Sequence, residues 1–308
     1  MRVVVTGGAG FIGSHLTDSL VSEGHEVVVI DDLSSGRKDQ INAAASFSRK
    51  DIRSSLLREF EGADTVFHFA ADPDVRASAL TPASSFDINV AGTFNVLEAC
   101  RKAGVKRIVF PSTSTVYGET AVIPTPETRL CAPISNYGAG KLACEAFLSS
   151  YSATYGIRCT ILRYANIFGP RSRHGVLYDF YEKLRKDPSS LEILGDGKQD
   201  KSYLYVDDCV SATLTAWKMQ PARFDIFNVG AYDKITVSEI AEMLSRLLGL
   251  RPRLSYGKGP KGWNGDVSTM LLDTRNIRSL GWRETVSFEE GLRRYIGWLK
   301  GRKPHRRD

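Results

Sequence analysis

An apolar strand running straight into a cluster of glycines restricts this chain more than any other stretch. Val3-Val4-Val5-Thr6 is followed by Gly7-Gly8-Ala9-Gly10-Phe11-Ile12-Gly13, and a helical pattern begins at once. The stretch contains Gly8-x-Gly10-x-x-Gly13 and, superimposed on it, Gly7-x-x-Gly10-x-x-Gly13. Glycine at these positions permits a sharp turn, close approach of the backbone to a pyrophosphate, and close packing of helix on strand. The helix start then offers free N–H groups and a partial positive charge to phosphates. An ordinary tight turn uses the same residues, so the surroundings decide. A second strand, Val27–Ile30, ends in Asp31-Asp32. An acid at that distance is placed to accept hydrogen bonds from the ribose of a dinucleotide.

The first half of the chain alternates strands with helices. Further strands are predicted at Ser46–Arg49, Thr65–Ala71, Arg107–Phe110 and Cys159–Tyr164, with helices near Ser54–Phe60, from about Pro82 to Ala103 and from about Tyr137 to Tyr155. In the first long helix Phe86, Val90, Phe94 and Leu97 recur at three- and four-residue spacing, and Gly104 stops it. This rhythm implies an α/β fold: a doubly wound parallel Rossmann sheet with right-handed crossovers and ligands beyond the C-terminal strand ends. After Tyr164 the rhythm breaks, and a smaller C-terminal α/β substrate lobe is expected. The predicted division is 1–165 for the dinucleotide, with about 202–230 returning to its sheet, and 166–308 for the substrate. Helices are expected at Val176–Lys186 and Thr236–Leu248, and a strand at Phe224–Gly230.

With 308 residues the chain can bury a large core. No apolar run is long enough to span a bilayer, and Met1-Arg2 leads directly into a strand, so neither membrane nor signal peptide is expected. The five cysteines are scattered without CxxC or histidine neighbours, which reads as reduced thiols in a cytoplasmic protein and no metal site. Of the formal charge of +6, Lys300 to Asp308 carry +4, so the basic balance belongs to the tail and nucleic acid is not an expected partner.

Tyr137-Gly138-Ala139-Gly140-Lys141 is the second anchor. On a helix, residues four apart share a face, so phenol and ammonium can point at one site. Free tyrosine ionises near pH ~10, and bringing it close to neutrality takes about 4 kcal/mol of differential stabilisation. Lys141 can supply positive charge for that, and so can an oxidised nicotinamide. Ser112-Thr113-Ser114-Thr115 follow a strand at the same sheet edge as the glycine turn, where a hydroxyl could relay a proton to Tyr137. Ordinary turn chemistry of Ser and Thr is the other reading of that cluster.

Taken together, the glycine turn, Asp31, the hydroxyl segment ending Val116-Tyr117-Gly118, and Tyr137-x-x-x-Lys141 resemble the extended short-chain dehydrogenase/reductase family. The nearest branch is that of the nucleotide-sugar 4-epimerases, and the likeness runs from Met1 to Trp298. Asp51-Ile52, Phe69-Ala70-Ala71, Asn89-Val90-x-Gly92-Thr93, Tyr164-Ala165-Asn166, Gln199-x-Lys201, Tyr205-Val206-x-Asp208 and Gly265-Asp266 match in order. The resemblance implies interconversion of UDP-galactose and UDP-glucose by transient oxidation at C4 on bound NAD. It places Gly7, Gly10, Phe11, Ile12 and Gly13 at the pyrophosphate, and Asp31, Asp32, Ser35 and Gly36 at the adenosine ribose. Asp31 argues for NAD over NADP. It places Asp51 and Ile52 at the adenine, with Phe69, Ala70, Ala71, Asn89 and Ala165 along the cofactor. Tyr137 becomes the proton acceptor, Lys141 a partner of the nicotinamide ribose, and Thr113 the catalytic hydroxyl with Ser112 beside it. Asn166, Val176, Lys201 and Tyr203 would touch the sugar nucleotide together with Thr113 and Tyr137. The family pairs its two long helices between subunits, implying a homodimer.

Two positions that matter for phosphate binding depart from the family pattern. Trp263 stands where a phosphate-clamping Arg is usual, and Lys201 replaces an Arg. Trp cannot form a bidentate phosphate clamp, and Lys offers a point charge only. Met270 falls where the family gates the sugar's 2-substituent. Related dehydratases carry an Asp-Glu pair after the catalytic Thr, where this chain has Ser114-Thr115, so elimination of water lacks its acid and base. Another NAD-dependent nucleotide-sugar epimerase, dehydratase or reductase is the alternative, as is an NAD-holding regulator without turnover.

Overall fold

The protein is described by a computed structural model covering residues 1–262 and 267–301. Trp263, the Gly265-Asp266 pair and the basic residues beyond Gly301 lie outside the described residues.

Seven parallel strands form the central sheet: β1 (Arg2–Thr6), β2 (Glu26–Asp31), β3 (Ser46–Arg49), β4 (Thr65–His68), β5 (Arg107–Thr113), β6 (Arg158–Tyr164) and β7 (Phe224–Val229). Their spatial order is β7-β6-β5-β4-β1-β2-β3. β1 pairs with β2 from Arg2↔Glu26 to Thr6↔Ile30, and with β4 from Val3↔Thr65 to Thr6↔His68. The chain therefore winds outward in both directions from β1. A doubly wound sheet opens a crevice at the carboxyl ends of the strands beside such a switch point. β7, contributed by the second half of the chain, closes onto β6 from Phe224↔Cys159 to Val229↔Tyr164.

The valine-rich runs are buried on both faces, as a sheet covered on both sides requires. Val4, Val28, Ile30, Val66, Ile108 and Phe110 pack beneath the helices α2 (Gly92–Ala103) and α3 (Asn136–Tyr155). Val3, Val5, Val29, Phe67 and Val109 pack on the other face against α1 (Phe11–Ser22) and the helix Val206–Met219. Trp217 of that helix is buried, with its indole N–H donating to the Thr65 hydroxyl at 3.2 Å. A third core, built around Phe180, Leu191, Ile193, Ile240, Leu244, Leu292 and Tyr295, holds the helices Val176–Lys186, Val237–Leu248 and Phe288–Lys300 together.

The helix expected from Pro82 to Ala103 is present but not uniform. Residues 82–86 are α-helical, 87–91 form a π turn, and 92–103 resume the α-helix up to Gly104 at φ 72°. The wider turn shifts the helical phase. Val90 and Leu97 are buried, whereas Phe86 and Phe94, expected on the same stripe, are 58% and 43% exposed. The strand expected over Thr65–Ala71 ends at His68, where the backbone turns to meet the glycine loop. The helix expected near Ser54–Phe60 is confined to Leu57–Phe60.

Candidate active site

The glycine turn is built by contacts that a side chain would forbid. Gly7 adopts φ 72°, and a Cβ there would stand 2.5 Å from the Ala70 amide nitrogen. A Cβ on Gly13 would stand 2.2 Å from the Gly7 carbonyl oxygen, so helix and turn touch through bare backbone. The Gly10 amide donates to that same carbonyl at 3.0 Å and starts α1 with no side chain capping it. The first-turn amides around Phe11 and Ile12 thus face the crevice as donors for an anion. Asp31 ends β2 and is 7% exposed, accepting from the Ala9 amide at 3.0 Å and the Leu33 amide at 2.8 Å. Burial raises its carboxyl above the usual range, opposed by those two hydrogen bonds. Asp32 and Ser35 are exposed, and Asp32 holds Ser34 instead. Gly36 lies against Asp31, where a Cβ would approach the carboxylate to 2.8 Å.

Around this turn, Ile52 is buried against Gly92, whose missing side chain leaves it room. Asp51 pairs with Arg53 at 2.5 Å, and that hydrogen bond holds its carboxyl below the ordinary value. The Phe69 amide donates to the Thr6 carbonyl, the Ala70 amide to the Thr6 hydroxyl, and Ala71 follows, all three partly buried. Asn89 sits in the π turn, 2% exposed, and binds Asp72 twice: its Oδ1 accepts from the amide at 2.8 Å and its Nδ2 donates to the carbonyl at 3.0 Å.

The phenol and the ammonium come from the start of α3. Ser135 caps that helix, accepting from the Gly138 amide, and the Tyr137 amide donates to Ser78 Oγ at 3.2 Å. Lys141 is 3% exposed. Its Nζ donates to the Pro111 carbonyl at 2.9 Å and lies 5.9 Å from the Tyr137 ring centre. Burial lowers Lys141 to about 8, opposed by the nearby Cys144 and Glu145, and a group at that value is still largely protonated at neutral pH. Burial raises the Tyr137 phenol, with Cys144 and Asp72 adding to the rise. Thr113 closes β5 two residues beyond Pro111. Its hydroxyl oxygen accepts from both the amide and the hydroxyl of Thr115 at 3.2 Å, so its own proton is left to donate elsewhere. Ser112 points to the opposite face of the strand. Its hydroxyl donates to Glu145 at 2.5 Å, and this fastens α3 to β5 instead of feeding a relay.

Ala165 is buried just past the end of β6, its amide donating to the Val229 carbonyl. Asn166 opens a short strand that pairs in parallel with Tyr203–Tyr205, Asn166 opposite Tyr203. Lys201 pairs with Ile235 on one side and Met270 on the other. Val176 begins a helix after Gly175 at φ 85°.

Residues 3–230 match the model of the NAD dependent epimerase/dehydratase family. The chain belongs to that family. A crystal structure of a UDP-galactose 4-epimerase is 47% identical, covering 97% of this chain and 99% of the other, with a TM-score of 0.90. The UDP-glucose 4-epimerase of Thermus thermophilus in complex with NAD is 35% identical over 98% and 99% of the two chains, with a TM-score of 0.89. A UDP-N-acetylglucosamine 4-epimerase from Methanobrevibacter ruminantium is 30% identical over 97% and 98%, with a TM-score of 0.90.

NAD is therefore the cofactor of this epimerase-family chain, and the residues present fit it. The fit is geometric: Gly7, Gly13 and Gly36, where an added Cβ would crowd the Ala70 amide, the Gly7 carbonyl and the Asp31 carboxylate, a helix start without a side-chain cap, and a buried acid at the end of β2. Four further groups adjoin these residues, and of the four the residue pattern had picked out only Thr115, as part of the hydroxyl cluster. Glu145 and Arg163 form a buried pair behind Lys141, Thr115 orients Thr113, and His68 bridges Thr6 and Thr93 beneath the crevice. Glu145 lies four residues beyond Lys141, one helical turn on, which was the available signal for it.

Proposed function

We propose that this NAD-dependent nucleotide-sugar epimerase interconverts UDP-galactose and UDP-glucose. The observation that carries the reading is the Lys141 ammonium beside the Tyr137 ring and bound to the Pro111 carbonyl, two residues before Thr113, where α3 meets the end of β5. Bound NAD supplies the hydride acceptor and donor at C4 and, when oxidised, a positive charge beside the phenol. The chain's own residues handle the proton. Tyr137 takes it from the 4-hydroxyl, directly or through Thr113, and returns it to the other epimer. A phenol raised by burial needs cations beside it to ionise, and Lys141 is one. Asn166, Val176, Lys201 and Tyr203 hold the nucleotide, so the sugar is free to turn over between the two hydride transfers.

In this reading residues 1–165 with 202–230 carry the cofactor and 166–308 the sugar nucleotide. The protein works in the cytoplasm, which agrees with five unpaired thiols, four of them buried. Among the described residues no helix is long and apolar enough to cross a membrane. Two copies pair through the outer faces of α2 and α3, where Phe94 and Phe147 are 43% and 38% exposed.

The 47% identity to a UDP-galactose 4-epimerase supports the choice of sugar. Incubation of the purified protein with UDP-galactose, UDP-N-acetylglucosamine and UDP-glucuronate in parallel tests it. UDP-glucose should accumulate fastest. Faster turnover of either other sugar reassigns the substrate, and no turnover of any leaves a cofactor-binding protein.

A further inference from the structure

One face of α1 is covered by a segment that belongs to the other lobe. Phe11, His15 and Asp18 follow one another at four- and three-residue spacing, so they line a single face. Residues 169–174, which leave the short strand Asn166–Phe168, meet all three. His15 Nε2 donates to the Pro170 carbonyl at 3.0 Å. Arg171 Nη2 donates to Asp18 Oδ2 at 2.7 Å, and the other carboxylate oxygen of Asp18 accepts from Asn42 at 2.8 Å. The His174 ring stands edge-on to Phe11, 6.3 Å between centres.

The segment is anchored behind as well. The buried Tyr295 of the last helix donates its hydroxyl proton to the Ser172 carbonyl at 2.9 Å. Arg171 itself adopts φ 70°, a left-handed conformation unusual for a residue with a Cβ. Such a conformation persists only where surrounding contacts hold it, and the Arg171–Asp18 pair is the contact its side chain makes across the lobes.

We propose that Arg171 and Asp18 form a latch between the lobes that retains NAD through the reaction cycle. The start of α1 is where the pyrophosphate binds, and Phe11 at that start lies under His174. Release of the dinucleotide requires this segment to lift from α1. An epimerase that returns the hydride it removed cannot lose its cofactor in between, so a slow opening step has direct value. Arg171 and Asp18 act as positioning residues in this scheme and touch no reacting atom. The inference rests on NAD occupying the glycine turn and is independent of which sugar is the substrate.

The test uses the holoenzyme and reads cofactor exchange, not turnover. Protein purified with NAD is chased with excess NADH, and the rise of bound NADH fluorescence gives the release rate. Arg171→Met and Asp18→Asn should each release NAD on the order of tenfold faster, equivalent to about 1.4 kcal/mol. Arg171→Lys, which keeps the charge and serves if Arg171→Met fails to fold, should give an intermediate rate. The charge-reversed pair Asp18→Arg with Arg171→Asp should return the rate close to that of the unaltered protein. A rise of salt should speed release from the unaltered protein more than from Arg171→Met. Unchanged release in the single variants, or a reversed pair that releases as fast as either, overturns the latch.

Discussion

Arg163 on β6 grips Glu145 on α3 from inside the protein, with Nε 3.0 Å from one carboxylate oxygen and Nη2 2.6 Å from the other. Both side chains are 5% exposed. The remaining guanidinium nitrogen reaches the Tyr117 hydroxyl and the Glu127 carbonyl, and Ser112 completes the Glu145 carboxylate. The pair keeps Arg163 firmly protonated against a large desolvation cost. Mechanically it sets the rotation of α3 one turn beyond Lys141, and hence where the phenol and the ammonium point.

Breaking that pair from one side is expected to be expensive. Arg163→Met leaves a buried carboxylate uncompensated, a loss of roughly 3–5 kcal/mol. Thermal unfolding should show it as a drop of about 1.5 °C per kcal/mol, the value that roughly 2.1 cal/mol/K of unfolding entropy per residue gives for a chain this long. The double variant Glu145→Leu with Arg163→Met removes both charges and should recover much of the loss. A double variant no more stable than the single would mean that the network, not the unpaired charge, carries the stability.

Tyr137→Phe removes the proposed proton acceptor and little else. Epimerisation should fall by about 10²–10⁴, the usual contribution of a positioned acid–base group. Bound NAD, read from absorbance of the released cofactor, should stay at one per chain. Activity within a few-fold of the unaltered protein would move the proton chemistry to another group.

Gly13→Ala places a methyl group where the Gly7 carbonyl already is, 2.2 Å away. Overpacking of this kind costs about 1–3 kcal/mol. Because the displaced atoms form the glycine turn proposed to hold the pyrophosphate, NAD content should fall together with the melting temperature. Purified variant that retains full cofactor would show that the turn tolerates the shift.

Acid sensitivity should centre on His68. It is fully buried, and burial, with a smaller contribution from Lys141, pulls it from 6.5 down to about 3. Its ring nitrogens face the hydroxyls of Thr6 and Thr93 at 2.7 and 2.9 Å. Between those two values the unfolded chain binds a proton that the folded chain refuses. Stability is therefore complete above pH 6.5 and declines as the pH falls toward 3. Urea midpoints at pH 7 and pH 5 should drop more for the unaltered protein than for His68→Gln. Equal drops would assign the acid limb to other groups.

Two copies are expected to associate through aromatic residues. Phe94 and Phe147 stand 5.6 Å apart between ring centres, at an exposed seam of α2 and α3. Phe94→Glu should yield monomers by light scattering while the unaltered protein runs as a dimer. A monomeric unaltered protein would remove the dimer from the description.

What could be read before folding follows from proximity along the chain. Gly7, Gly10, Gly13 and Asp31 belong to one strand–turn–helix–strand unit, and Tyr137 and Lys141 to one helical turn, so their spacing alone placed them together. Phe86 and Phe94 show where that logic stops, because a π turn at 87–91 changed the helical period between them. Ser112 shows the same limit on a strand. Beside Thr113 in the chain, it faces the other way and serves Glu145.

The sequence by itself determined the glycine turn, the acid that ends β2 and the phenol–ammonium pair, because each is written within a few residues of backbone geometry, and the family, because its motifs follow in order along the chain. Only the tertiary structure decided that Arg163 answers Glu145 across 18 residues, and that Arg171 reaches Asp18 across 153. Such partners are chosen by where the sheet and the second lobe bring distant segments into contact. Charge and burial cannot be matched along a chain until the fold has removed the water between them.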